Sequence, residues 1–199
     1  MALNANALTT VATCKTQLDI QSSDTSQDAL LERFINSASE QVERYCGRKF
    51  ALRSFVEVRD GTRSNEMLLE NWPVVSVTSV HVDTSRAFGA ESLLLASEYG
   101  VQAPNILRRH DAFWPRGSMV VRVEYTAGYA TIPADLEDAC VMLVEHRYRM
   151  KNDRRLGRTS SGKQGESISY TETWPQEVLD LLEPYRNYST VLSEMARLV

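Results

Sequence analysis

Met119-Val120-Val121-Arg122-Val123-Glu124-Tyr125-Thr126-Ala127-Gly128-Tyr129 changes character at Ile132-Pro133-Ala134-Asp135-Leu136. In the first stretch Met119, Val121, Val123 and Tyr125 alternate with Val120, Arg122 and Glu124, the two-residue period of a strand with one buried face. After Pro133 the period lengthens: Leu136, Ala139, Cys140, Leu143 and Val144 form the stripe of an amphipathic helix. Pro133 suits the first helical position, where its missing N–H goes unused. Asp135, Glu137 and Asp138 in the first turn, with Arg147, Arg149 and Lys151 in the last, complement the helix dipole. A switch between the two periods within a few residues marks a chain of mixed α and β structure.

Toward the N-terminus, a second amphipathic helix is predicted over 27–46, with Leu30, Leu31, Phe34, Ile35, Ala38, Val42, Tyr45 and Cys46 on its apolar stripe. Gly47 is its expected stop, because glycine takes the left-handed conformation without a Cβ clash. A short helix is predicted over 9–18, capped by Thr9, with Val11, Cys14 and Leu18 on one face. Between the long helices the residues are β-rich. Phe55–Arg59 and Glu66–Glu70 flank Asp60-Gly61 and read as a hairpin. Trp72-Pro73-Val74-Val75 leads into a strand to Val82, and Leu93–Leu95 and Asn105–Leu107 are short strand candidates. Strands without intervening helices predict an antiparallel sheet or small barrel. The expected organisation is a helical core of residues 1–50 and 131–186 with a β-rich insertion at 51–130.

The formal net charge of −4 conceals a local excess. Seven basic residues and one acid lie between Arg147 and Lys163, so the rest of the chain carries ten more acids than bases. Residues 152–170, rich in Gly, Ser, Lys and Arg, cannot bury a core and read as a flexible basic arm. Three readings of the arm stand side by side: a solvated loop, a surface that docks on an acidic protein, or a set of phosphate contacts on DNA. Its candidate contact residues are Arg154, Arg155, Arg158 and Lys163. Beyond Trp174-Pro175, a helix carries Val178, Leu179 and Leu182, and Pro184 limits it. Residues 187–199 then form a C-terminal helical tail with Tyr188, Val191, Leu192, Met195 and Leu198 on one face, a candidate interface.

Catalytic signatures are missing from the sequence. The three histidines, His81, His110 and His146, have no zinc-helix spacing, and Cys14, Cys46 and Cys140 form no Cys-x-x-Cys. An odd number of separated cysteines reads as buried reduced thiols. Phosphate loops, dinucleotide fingerprints and nucleophile elbows are absent, and Glu137-Asp138 reads as dipole stabilisation rather than acid–base chemistry. No apolar run approaches the roughly 20 residues of a membrane span, and no signal-peptide pattern opens the chain. No enzyme activity, metal or cofactor is expected.

Five segments in a fixed order carry a resemblance. They are Ala29-Leu30-Leu31-Glu32-Arg33 to Tyr45-Cys46-Gly47-Arg48, Trp72 to Val80, Tyr125-Thr126-Ala127-Gly128-Tyr129, Ile132-Pro133-Ala134-Asp135-Leu136 with its helix to Tyr148, and Val178 to Arg186. From about Leu8 to Arg186 the chain resembles the head–tail connector (adaptor, or head-completion) proteins of tailed bacteriophages. The resemblance implies a helical bundle with a β insertion. It implies a ring, usually dodecameric, in the virion neck beneath the portal protein, made in the host cytoplasm. Such a ring completes the DNA-filled head and offers a surface to a stopper or tail-completion protein, and packaged DNA passes through with little specific binding. The alternative from a different class is a DNA-binding accessory protein using residues 147–163.

Overall fold

Pro133 opens a helix as its position requires: its carbonyl accepts the N–H groups of Leu136 and Glu137, both at 3.1 Å. The computed structural model describes residues 2–102, 104–152, 160–161, 167–168 and 174–187. Within them the chain divides into two units, one of residues 1–47 and 132–199 and one of residues 48–131. The structure is α+β.

The first unit holds α1 (Val11–Gln17), α2 (Asp28–Cys46), α3 (Ala134–Asn152) and α4 (Gln176–Leu182). α3 is the central element, with α1, α2 and α4 packed on it. Its predicted stripe of Leu136, Ala139, Cys140, Leu143 and Val144 is buried, as are Leu31, Ile35, Ala38, Val42 and Cys46 of α2 and Val178 and Leu182 of α4, the helices packed on it. α2 ends where the sequence placed its stop, with Gly47 at φ 65°. One expectation fails at α1. The cap is Thr10, whose hydroxyl accepts the Thr13 N–H at 3.2 Å. Thr9 is instead buried and donates its hydroxyl to Glu137 at 3.0 Å. Within the predicted arm, Ser160–Ser161 and Ser167–Ile168 pair antiparallel; the rest of residues 153–173 and all of 188–199 lie outside the described residues.

The second unit contains two antiparallel three-stranded sheets. We number its strands β1 (Arg53–Gly61), β2 (Glu66–Leu68), β3 (Val74–Val82), β4 (Tyr99–Gln102), β5 (Ile106–Arg109) and β6 (Gly117–Ala127). The sheet orders are β1-β6-β3 and β2-β5-β4. The inner residues of both, Val80, Val121, Val123 and Tyr125 from one sheet and Met67 and Leu107 from the other, share a core with the fully buried Trp114.

The expected hairpin between β1 and β2 does not form. β1 pairs with β6, Arg53 opposite Ala127 through Arg59 opposite Val121, and β2 pairs with β5. The eleven residues of β6 offer β1 a longer ladder than the three of β2. Gly61 also lies so close to Pro115 that an added Cβ would stand 1.6 Å from its carbonyl oxygen, and this approach directs the chain toward 115–117. Leu93–Leu95 is likewise no strand but the link between 3-10 turns at Ala90–Ser92 and Ala96–Glu98. In β6 the alternation slips at its start. Met119 is 52% exposed and Val120 is buried, because the backbone at Met119 turns to φ 54° while its N–H donates to Asp60 Oδ1 at 2.7 Å. From Val121 onward the predicted face is the buried one.

Candidate functional sites

The two predicted contact sets cannot be placed. Arg154, Arg155, Arg158 and Lys163 of the arm and Tyr188, Val191, Leu192, Met195 and Leu198 of the tail all lie outside the described residues. What the structure brings together instead are three of the ordered segments. Arg48, directly after the α2 stop, is 4% exposed. Its guanidinium lies 3.7 Å from the Trp72 ring centroid, 4.9 Å from that of Phe50 and 5.8 Å from that of Tyr129. Arg48 Nη2 also donates to the Trp72 carbonyl. A planar, weakly hydrated cation held on aromatic faces is a strong local tie. The Trp72–Pro73 bond beside it is cis. Gly128 completes the arrangement at φ 110°, where an added Cβ would stand 2.7 Å from the carbonyl oxygens of Phe50 and Ala51. Nothing in the periodicity pointed to Arg48; the signal was a bulky basic residue in sequence beside a helix stop.

A second cluster fixes the segment before Trp72. Glu57 accepts the Tyr125 hydroxyl and, at 3.3 Å, the Asn71 side-chain amide, and its carboxylate also takes the Glu70 N–H at 3.2 Å. Burial, then the hydrogen bond to Glu57, holds the Tyr125 phenol well above its ordinary range. The cluster is a neutral phenol clamped on a carboxylate, suited to holding a loop.

The helical unit carries a groove of about 520 Å³. Arg33 and Phe34 of α2, Leu143, His146, Arg147, Met150 and Lys151 of α3, and Trp174 line it. None of the described residues that line it is acidic. Partial burial holds the Arg147 guanidinium below its ordinary value. Trp174 is fixed from behind by Tyr45, ring centroids 5.3 Å apart, and Arg186 lies 4.8 Å over the Tyr45 ring.

The histidines are dispersed. His81 Nδ1 is 3.1 Å from the Ser92 hydroxyl, His110 is exposed on the β unit, and His146 lies on the helical groove. Cys14, Cys46 and Cys140 are buried free thiols. Burial pushes Cys14 up to about 12 and Cys140 up to about 11. Such thiols are inert, since the thiolate is the reactive form. Among the described residues no group of three or more His, Cys, Asp or Glu is placed to hold a metal. No helix among them is long and apolar enough to cross a membrane.

The ties traced above join one element to another: a caged arginine, a clamped phenol, a helix stapled by a threonine. The class these define is a structural α+β protein with a β unit inserted into a helical one. The head completion protein family matches residues 7–188, and the chain belongs to that family. Three solved chains share the fold at 22% identity. One, from the neck of a native GTA particle computed with C12 symmetry, aligns over 94% of this chain and 92% of that one with a TM-score of 0.62. A second, from the neck of an empty GTA particle computed with C6 symmetry, aligns over 94% and 93% with a TM-score of 0.63. The third belongs to the virion of a native gene transfer agent particle and aligns over 94% and 93% with a TM-score of 0.61. No curated protein matches the chain.

Proposed function

We propose that this chain is the head–tail adaptor of a tailed-phage or phage-like particle, forming a ring in the neck beneath the portal protein. The ring completes the DNA-filled head and presents a docking surface to a stopper or tail-completion protein. The observation that carries this reading is the match to head completion proteins over residues 7–188. It gains support from a fold shared along 94% of the chain with neck proteins of particles treated with C12 and C6 symmetry. A closed ring of identical subunits needs a head-to-tail interface on every protomer. The role is structural, without catalysis. The acidic remainder of the chain suits a channel through which DNA slides, since like charge opposes sticking. The arm residues Arg154, Arg155, Arg158 and Lys163 and the tail face of Tyr188, Val191, Leu192, Met195 and Leu198 make contacts to the portal or to an adjacent adaptor.

Imaging particles assembled with and without the gene product tests this. We expect a ring of density at the head–tail junction with the protein and tailless, DNA-leaking heads without it. Complete, tailed particles in its absence would overturn the reading.

A further inference from the structure

The groove on the helical unit and one segment of the β unit have complementary chemistry. On α3, Arg149 is neutralised by Glu145 at 2.5 Å. The groove-lining Arg33, Arg147 and Lys151 have no ion pair among the described residues. They line the groove together with the apolar Phe34, Leu143, Met150 and Trp174. A groove lined by bases and large apolar side chains fits an acidic segment that presents large apolar side chains.

The chain carries such a segment. Gly89-Ala90-Glu91-Ser92-Leu93-Leu94-Leu95-Ala96-Ser97-Glu98 contains two acids and no base. Leu93 is 50% exposed and Leu95 69%, the highest exposure among the large hydrophobic residues that are described. Leu94 between them packs against the β core. The segment is held in shape from both sides. The Leu94 N–H donates to the Val80 carbonyl at 2.8 Å, the Leu95 N–H to Glu98 Oε2 at 2.7 Å, and 3-10 turns bracket the leucines. A protruding apolar pair on a fixed backbone loses little conformational freedom when it docks. Glu91 has no ion pair among the described residues, and Glu98 reaches Arg109 at 3.8 Å.

We propose that the groove receives the Glu91–Glu98 segment of a second copy of this chain, with Leu95 among Phe34, Met150 and Trp174 and Glu91 against Arg33 and Lys151. The proposal rests on the ring reading above and names its repeating contact. Groove and segment are unlike surfaces, so each copy offers one and accepts the other, which is the heterologous arrangement that closes into rings. Residues 153–173, which follow α3 in sequence, are poorer occupants, because Arg154, Arg155, Arg158 and Lys163 would bring like charge to the groove's own bases.

The test uses the full chain at up to about 1 mM, where even weak preformed contacts populate. A benzophenone amino acid at position 95 is photolysed in an equal mixture of isotope-labelled and unlabelled chains, and the cross-links are mapped by mass spectrometry. We expect cross-links between copies that land on residues 33–34, 146–151 or 174. Sedimentation of charge variants gives a second readout. Glu91→Lys and Lys151→Glu should each weaken self-association by about fivefold, the double variant should recover it, and Leu95→Asp should weaken it by about tenfold or more. Cross-links within one copy or onto other surfaces, charge variants without effect, or a monomer throughout would each overturn the contact. A ring seen in particles with cross-links elsewhere would sink this contact and leave the adaptor reading intact.

Discussion

Arg48 shows how much one side chain can organise. Its guanidinium is enclosed by Trp72, Phe50 and Tyr129, and it reaches a backbone carbonyl. Lysine cannot substitute, because an ammonium on a flexible stem neither stacks nor forks. We expect Arg48→Lys to cost about 2 kcal/mol of stability, read by denaturant unfolding, with a loss close to that of Arg48→Ala. A cost under about 0.5 kcal/mol would mean that the cage is ornamental. Cys14 gives a pH signature. Its folded-state value of about 12 lies above the ordinary 9.0, so the unfolded chain releases its proton first. The associated stability is complete below pH 9 and lost as pH rises from 9 toward 12. Melting temperatures taken between about pH 8 and 10.5 should fall more steeply for the wild type than for Cys14→Ala. Parallel curves would refute the assignment.

At the scale of elements, the helices were legible and the strand pairings were not. Helix stripes and stops are local: Gly47 and Pro133 announce themselves, and the α3 stripe needs only its own residues. Pairing is a choice among distant partners. Asp60-Gly61 has the residues of a hairpin turn, yet β1 finds its longest ladder with β6, more than fifty residues away. Met119 breaks the alternation through a positive φ that no period reveals. The candidate arm and tail contacts fall outside the described residues, while the groove and the Arg48 cage draw on segments far apart in sequence; the cage's one local signal was a basic residue beside a helix stop, and the groove had none. Glu137 illustrates the difference in another way. It reads as a dipole-compensating acid, and it also accepts the Thr9 and Thr13 hydroxyls at 3.0 and 3.2 Å, which joins α1 to α3. We expect Glu137→Ala to loosen residues 2–20 and lower stability by about 1–2 kcal/mol. Limited proteolysis should then cut first near α1; unchanged protection there would show that apolar packing alone holds it.

For the whole molecule, charge separates the adaptor from a DNA-binding protein. A binder using residues 147–163 would neutralise several phosphates, and its affinity would fall steeply with salt, with a log–log slope of about −0.9 per phosphate. We expect free duplex DNA to bind weakly, with a slope near zero at physiological salt; a slope of about −4 or steeper would favour the DNA-binding alternative. The two units differ in continuity. Residues 48–131 are unbroken, whereas the helical unit is assembled from 1–47 and 132–199. That division has a consequence during synthesis. α2 emerges from the ribosome well before its partner α3, so its apolar stripe waits for roughly ninety residues of translation, about 5–20 s at bacterial rates. β6, the middle strand of its sheet, completes the inserted unit only at Ala127. We therefore expect a nascent chain halted with residue 131 just outside the exit tunnel to protect the β unit from protease while 1–47 remains cleavable. Early protection of 1–47 would show that the first helices fold without waiting, and until then a chaperone that shields apolar helices has a window in which to act.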